Sequence, residues 1–178
     1  MSLPLSDQQP DQPADESARA IAVIDIDGVV ADVRHRLHHL SQRPKDWRAF
    51  FAAAPRDPVL TTGLETVRRL AEVCEIVYLS GRPEFCRRDT LDWFARHDLP
   101  RGELVLRRNG DGRPARLMKV EALRRLSRRG PVSVLVDDDP LVCRAAREAG
   151  YDVLPADWMG KRSERDALVE AQEVDGRT

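Results

Sequence analysis

Long apolar runs are absent from this chain. The longest, such as Val132 to Val136 broken only by Ser133, fall far short of the roughly 20 residues that a bilayer-spanning helix needs. Neither a membrane helix nor a membrane partner is expected. Net charge of one sign is missing too: 29 Lys and Arg against 30 Asp and Glu leave −1 over 178 residues, which excludes a polycation that coats nucleic acid and an acidic tail protein. Any polyanion site must be local. Cysteines are few and odd in number. Cys74, Cys86 and Cys143 lack CxxC spacing and fall inside apolar segments, so buried reduced thiols are expected rather than disulfides or zinc ligands. Aromatic residues make up only 5%, but 42% hydrophobic residues are enough for the core of one compact domain. The first twenty residues carry Asp7, Asp11, Asp15 and Glu16 and no apolar block, the reverse of a signal peptide, and a cytoplasmic location is expected.

What is present alternates. Residues 1–19, rich in Pro, Gln, Ser and Asp, read as a disordered tail, and the fold begins near Ala20. Strand-like runs at Ile21–Ile24, Glu75–Leu79, Glu103–Leu106, Val132–Val136 and Tyr151–Leu154 take turns with helical spacing at Thr62–Cys74, Arg82–His97, Arg116–Ser127 and Leu141–Ala149. Pro83 and Pro140 fit first helical turns and Gly150 a helix C-terminus. Such alternation predicts an α/β fold: a doubly wound parallel sheet with helices on both faces, spanning residues 20–160. An insert at about 30–60 reads as a small cap whose short amphipathic helix holds Trp47, Phe50 and Phe51. These rings suit packing, and they also suit stacking on a base. Residues 161–178 read as a C-terminal tail.

Ligands of open α/β sheets bind beyond the carboxyl ends of the strands. Polar residues collect there: Asp25-Ile26-Asp27-Gly28 after the first strand, Ser80-Gly81-Arg82 after the second, Asp137-Asp138-Asp139 after the fourth. Crowded carboxylates raise one another's pKa unless a cation intervenes, and Mg²⁺ is typically held by one or two carboxylates together with waters and phosphate oxygens. Phosphoryl transfer follows. Period-two alternation sets Asp25 and Asp27 on one side of the strand end, one to attack phosphorus and one to handle the leaving group's proton. Lys119 offers a counter-charge to phosphoryl oxygens. Asp139, just before Pro140, fits a helix N-cap as well as a site residue.

These residues resemble the four motifs of the haloacid dehalogenase superfamily of phosphohydrolases: Asp25-Ile26-Asp27-Gly28-Val29, Ser80, Lys119 and Asp137-Asp138, in order. The resemblance implies a HAD-like Rossmannoid fold, with Asp25 as the nucleophile of an aspartyl-phosphate intermediate and Asp27 as general acid and then base. Ser80 and Lys119 would hold the phosphoryl group. Mg²⁺ would be bound by Asp25, the Asp27 backbone carbonyl, Asp137 and, directly or through water, Asp138.

From Ile21 to Trp158 the chain further resembles the phosphatase domain of phage-type polynucleotide kinase-phosphatase. Carrying that likeness are Ser80-Gly81-Arg82 with Thr90 and Trp93, Gly110-Asp111-Gly112-Arg113 ahead of Lys119, and Arg36. It implies a polynucleotide 3′-phosphate end as substrate, with Gly28, Gly81, Arg82, Arg36 and Arg113 contacting it. No GxxxxGK(S/T) phosphate loop occurs, so the kinase half is missing from this sequence, and whether a separate kinase or ligase is a partner stays open. The same chemistry would serve a small metabolite phosphate or 5′-nucleotide. A non-catalytic phospho-acceptor domain fits the motif order less well, because the acidic pair follows the fourth strand.

Two further features divide. Arg107 to Arg129 holds nine Lys or Arg and only Asp111 and Glu121, a balance of +7 that either draws phosphates or marks a solvated face. His35 and His39 share a helical face, but without an HExxH pattern or companion cysteine they are expected near the pocket mouth rather than on zinc.

Overall fold

The computed structural model describes residues 19–41, 43–160, 168–170 and 173. Its strands are β1 (Ile21–Ile24), β2 (Glu75–Pro83), β3 (Glu103–Arg107), β4 (Val132–Asp137) and β5 (Val153–Pro155). Its helices are α1 (His38–Ser41), α2 (Trp47–Ala53), α3 (Thr61–Val73), α4 (Arg87–Arg96), α5 (Ala115–Leu126) and α6 (Pro140–Glu148). The strands are all parallel, in the order β3-β2-β1-β4-β5. The chain therefore winds outward from β1 to β3, crosses back, and finishes on the other side of β1. That reversal opens a crevice at the carboxyl ends of β1 and β4.

Alternation along the central strands builds two cores. Ala22, Ile24, Ile76 and Tyr78 face one side, where α3 supplies Val67 and α4 supplies Trp93 and Phe94. Ile21, Val23, Val77 and Leu79 face the other, against Met118 and Leu123 of α5 and Val142 and Ala146 of α6. Each fully buried aliphatic side chain contributes about 1.5–3 kcal/mol. The expected doubly wound α/β sheet is thus present.

Two boundaries differ from expectation, each for a local reason. Pro83 does not begin a helix: β2 continues through it, pairing Pro83 with Arg107 after a register shift past Ser80. A 3₁₀ turn over Glu84–Cys86 follows, and α4 starts only at Arg87. Tyr151 is not in β5, because its amide donates to the Ala146 carbonyl and closes α6 through Gly150 at φ +88°. The strand resumes at Val153.

The insert folds as short turns and helices. Asp46 caps α2 by accepting from the Ala49 amide at 2.9 Å. Val33, Leu37, Leu40, Trp47, Phe50 and Phe51 form a third cluster, which Cys86, Met159 and Leu168 complete. Packing therefore claims these rings. Residues 168–170 and 173 are helical, with Leu168 buried and Glu173 paired to Arg116. The expected tails at 1–18, 161–167, 171–172 and 174–178 lie outside the described residues. All three cysteines are free and buried. Among the described residues, no helix is long and apolar enough to cross a membrane.

Candidate active site

The strand ends assemble two electrostatically different clusters side by side. In the first, Asp25 after β1 meets Asp137 at the end of β4 and Asp138 beyond it, with ligand oxygens all within 4.8 Å of one another. Lys119 of α5 reaches in from the side. Its Nζ donates to Asp137 Oδ2 at 2.7 Å and lies 2.9 Å from Asp25 Oδ2. All four side chains are buried. One lysine against three carboxylates leaves negative charge in excess.

The pKa shifts follow. Burial, joined by Asp137 and resisted by Lys119, pushes Asp25 up to about 7. Asp138 is raised well above the ordinary carboxylate range by burial and by the Asp25 and Asp137 charges. Burial opposes the Lys119 charge, but Asp137 and Asp25 outweigh it and hold that ammonium protonated. Neither Asp138 oxygen has a hydrogen-bond partner among the described residues, an expensive state for a buried carboxylate. A divalent cation would relieve it. Three clustered carboxylates, with both Asp138 oxygens open, are a hard-oxygen donor set that suits Mg²⁺.

Gly28 makes this crowding possible. It adopts φ +82°, and a Cβ there would lie 2.2 Å from Asp138 Oδ2. Only glycine lets the loop turn and admits that carboxylate together. Asp139 is a helix cap: its Oδ1 accepts from the Leu141 and Val142 amides.

The second cluster surrounds Asp27. Its Oδ1 accepts from Arg36 Nη2 at 2.8 Å and from Arg82 Nε at 2.9 Å. Burial raises the Asp27 pKa, but the two guanidinium charges overcome it and bring it below the ordinary value. Asp57 completes the balance, accepting from Arg36 Nε and Nη2 at 2.7 Å each and from Arg82 Nη2 at 3.0 Å. His35 Nε2 lies 2.7 Å from the same carboxylate. Two carboxylates and two guanidinium groups make a neutral buried square. Thr90 Oγ1 receives Arg82 Nη1, Trp93 Nε1 donates to the Asp57 carbonyl, and Arg36 lies over the Phe50 ring at 4.1 Å. Asp27 Oδ2 has no partner among the described residues.

Of the residues singled out by sequence, Asp25, Asp27, Gly28, Ser80, Gly81, Arg82, Lys119, Asp137 and Asp138 come together at the strand ends, and Arg36 joins them from the cap. Ser80 Oγ accepts from the Arg82 amide, and the Gly81 carbonyl accepts from Arg107. Arg113 stands apart: it is exposed, fastened to Asp111 and Glu121. The basic stretch is likewise divided. Arg107 and Lys119 are buried, Arg129 pairs with Glu75 and Glu103, and Arg116 with Glu173. The histidines carry no metal cluster among the described residues. Sequence reading missed Asp57, whose place before Pro58 looks like turn chemistry. Its one signal was indirect, since two buried arginines beside Asp27 need a second carboxylate.

Residues 19–157 match the family described as the polynucleotide kinase PNKP phosphatase domain. The chain belongs to that family. It is accordingly a phosphatase of the haloacid dehalogenase type. Among solved structures, this phosphatase domain is similar to a chain of the Pnkp1/Rnl/Hen1 complex, at 23% identity and TM-score 0.63, covering 79% of this chain and 47% of that one. A chain of the Pnkp1/Rnl/Hen1 RNA repair complex gives 19% identity and TM-score 0.65, with 86% and 48% covered. The domain thus spans about half the length of either. A haloacid dehalogenase family enzyme of Bacteroides thetaiotaomicron, in complex with magnesium and inorganic phosphate, gives 13% identity and TM-score 0.50, with 83% and 99% covered. No curated protein matches the sequence.

Proposed function

We propose that the chain is a Mg²⁺-dependent phosphomonoesterase that removes 3′-phosphates from polynucleotide ends through an aspartyl-phosphate intermediate. The observation that carries this reading is the buried trio Asp25, Asp137 and Asp138, with Asp138 oxygens that no other described residue engages. Bound there by Asp25, Asp137 and Asp138, and by the Asp27 backbone carbonyl, Mg²⁺ would neutralise charge on the phosphoryl oxygens. Asp25 attacks phosphorus as the leaving-group oxygen departs, and an Asp25 acyl phosphate forms. Lys119 and the Ser80 hydroxyl hold the phosphoryl oxygens. Asp27 presents its open Oδ2 to the leaving oxygen. Held by two arginines, Asp27 begins as the anion. An arriving phosphoryl group sets negative charge beside it and raises its proton affinity, so Asp27 takes up one proton from solvent as substrate binds and gives it to the leaving oxygen as the P–O bond breaks. Asp27 then takes a proton from the water that attacks the acyl phosphate, releasing phosphate and free Asp25.

The match over residues 19–157 and the likeness to chains of an RNA repair complex support an end-healing substrate. The test is Mg²⁺-dependent phosphate release from matched 3′-phosphate and 5′-phosphate oligonucleotides and mononucleotides, with Asp25→Asn as the blank. Strong 3′-end preference is expected. Turnover of mononucleotides or metabolite phosphates alone would overturn the substrate assignment, and full activity in Asp25→Asn would overturn the mechanism.

A further inference from the structure

A pocket of about 590 Å³ lies between α2 and the loop after β3, and none of the clustered carboxylates lines it. Trp47 and Phe51 of α2, Phe85, and Arg107, Arg108 and Asn109 do. Its floor is where Pro83 of β2 pairs with Arg107 of β3. Pro83 lies three residues beyond Ser80 on β2, the strand next to β1, so the pocket opens on the same end of the sheet as Asp25 and Asp27.

Its chemistry is mixed in a specific way. Phe51 stacks against Trp47 at 5.8 Å and meets the Phe85 ring edge-on at 5.9 Å. Phe85 is left 67% exposed, and its amide donates to Oδ1 of Asn109, which also lines the pocket. Arg107 is only 2% exposed. Its Nε donates to the Gly81 carbonyl and its Nη1 to the Asp111 and Arg113 carbonyls, while Nη2 has no partner among the described residues. A buried guanidinium donor without an acceptor is rare in folded proteins and costly. A purely apolar ligand would leave Arg107 unmatched, and a bare phosphate would leave the rings unused. A planar heterocycle with acceptor atoms on its edge uses both.

We propose that this pocket receives the base of the substrate's terminal nucleotide, stacked on the Phe85 side of the aromatic wall, with the Arg107 guanidinium supplying the polar contact. The assignment rests on the nucleotide reading above and adds that the enzyme holds its substrate by the base as well as by the phosphate. The bond from Arg107 to Gly81, next to Ser80 and Arg82, joins the base site to the phosphoryl site. Stacking is tolerant of sequence, so the pocket favours having a base over having a particular one.

The experiment compares nucleoside 3′-phosphates with ribose 3-phosphate, which lacks a base, by equilibrium binding to Asp25→Asn protein and by kcat/KM of otherwise unaltered enzyme. Binding to Asp25→Asn is expected to be tighter with the base present. Phe85→Ala should reduce the preference for the base-bearing ligand about ten- to a hundredfold, and Phe85→Leu, which keeps apolar bulk without a π face, should reduce it nearly as much. Val73→Ala, exposed on α3, is the control and should not alter the preference. Equal binding of both ligands, or a preference that survives Phe85→Ala, overturns the pocket assignment. Base-dependent binding without turnover would keep the pocket and overturn the phosphatase substrate instead.

Discussion

Replacing Asp57 by Asn tests whether the buried square around Asp27 is held together by charge balance. Asp57 accepts four contacts of 2.7–3.0 Å, from Arg36 twice and from Arg82 and His35 once each. An amide of the same shape keeps one acceptor oxygen and turns an NH₂ donor toward guanidinium donors. Arg36 and Arg82 would then face Asp27 alone, with one buried positive charge uncompensated. Breaking a buried ion pair in this way costs about 3–5 kcal/mol. At about 2–4 °C per kcal/mol for a chain of this size, Tm should fall by about 6–20 °C. Urea unfolding gives the free energy and calorimetry the Tm. Adding Arg36→Met removes the surplus charge and keeps an apolar stem over Phe50, so the double variant should recover at least about 1 kcal/mol, as coupled neighbours do. A loss below about 1 kcal/mol for Asp57→Asn, the range of exposed ion pairs, would refute the reasoning. So would strict additivity in the double variant.

Gly28→Ala should cost at least about 1–2 kcal/mol from the left-handed backbone alone, and should weaken magnesium binding because the new methyl group displaces Asp138; unchanged magnesium affinity by calorimetric titration would contradict the close packing described. Lys119→Met should lower kcat about 10²–10³-fold by removing a preorganised charge from the phosphoryl oxygens, with near wild-type kcat in a steady-state assay as the contrary result. In the metal-free protein, the folded state binds the Asp25 proton more tightly than the unfolded chain does, with its pKa moved from 3.8 to about 7. Stability should therefore fall as pH rises through that interval. Magnesium, which binds the ionised carboxylates, should raise Tm more at about pH 8 than at about pH 5; equal shifts at both would show that the cluster is already ionised without metal.

Much of the fold and the reaction centre was legible because both depend on period and order. Strand alternation and Asp-bearing strand ends put Asp25, Asp27, Asp137 and Asp138 at the topological switch before any contact was known. What local pattern does not carry is which opposite charges meet across long sequence separations. Arg36 and Arg82 read as substrate contacts, and no local pattern showed that Asp27 and Asp57 also engage both, the latter 21 and 25 residues away. Arg113 read the same way and is held by Asp111 and Glu121. The +7 stretch looked continuous along the chain, but folding buries part of it and pairs another part with acids from β2 and β3. Pro83 was misread because its missing amide is tolerated in a first helical turn and also where a strand's register shifts.

The cap cluster has a consequence for the order in which the molecule is built. Val33, Leu37 and Phe51 close their core only when Met159 and Leu168, more than 100 residues along the chain, arrive beside them. Contacts so distant in sequence carry a large loop-closure entropy and generally form late. β1 pairs with β2, and β2 with β3, across shorter windings, but β4 joins β1 only after a comparable separation, from Ile21 to Val132. The meeting of Asp25 with Asp137 and the closing of the cap cluster are therefore both expected late, after β1, β2 and β3 have paired. Until Met159 and Leu168 arrive, a nascent chain exposes Trp47 and Phe51 to solvent.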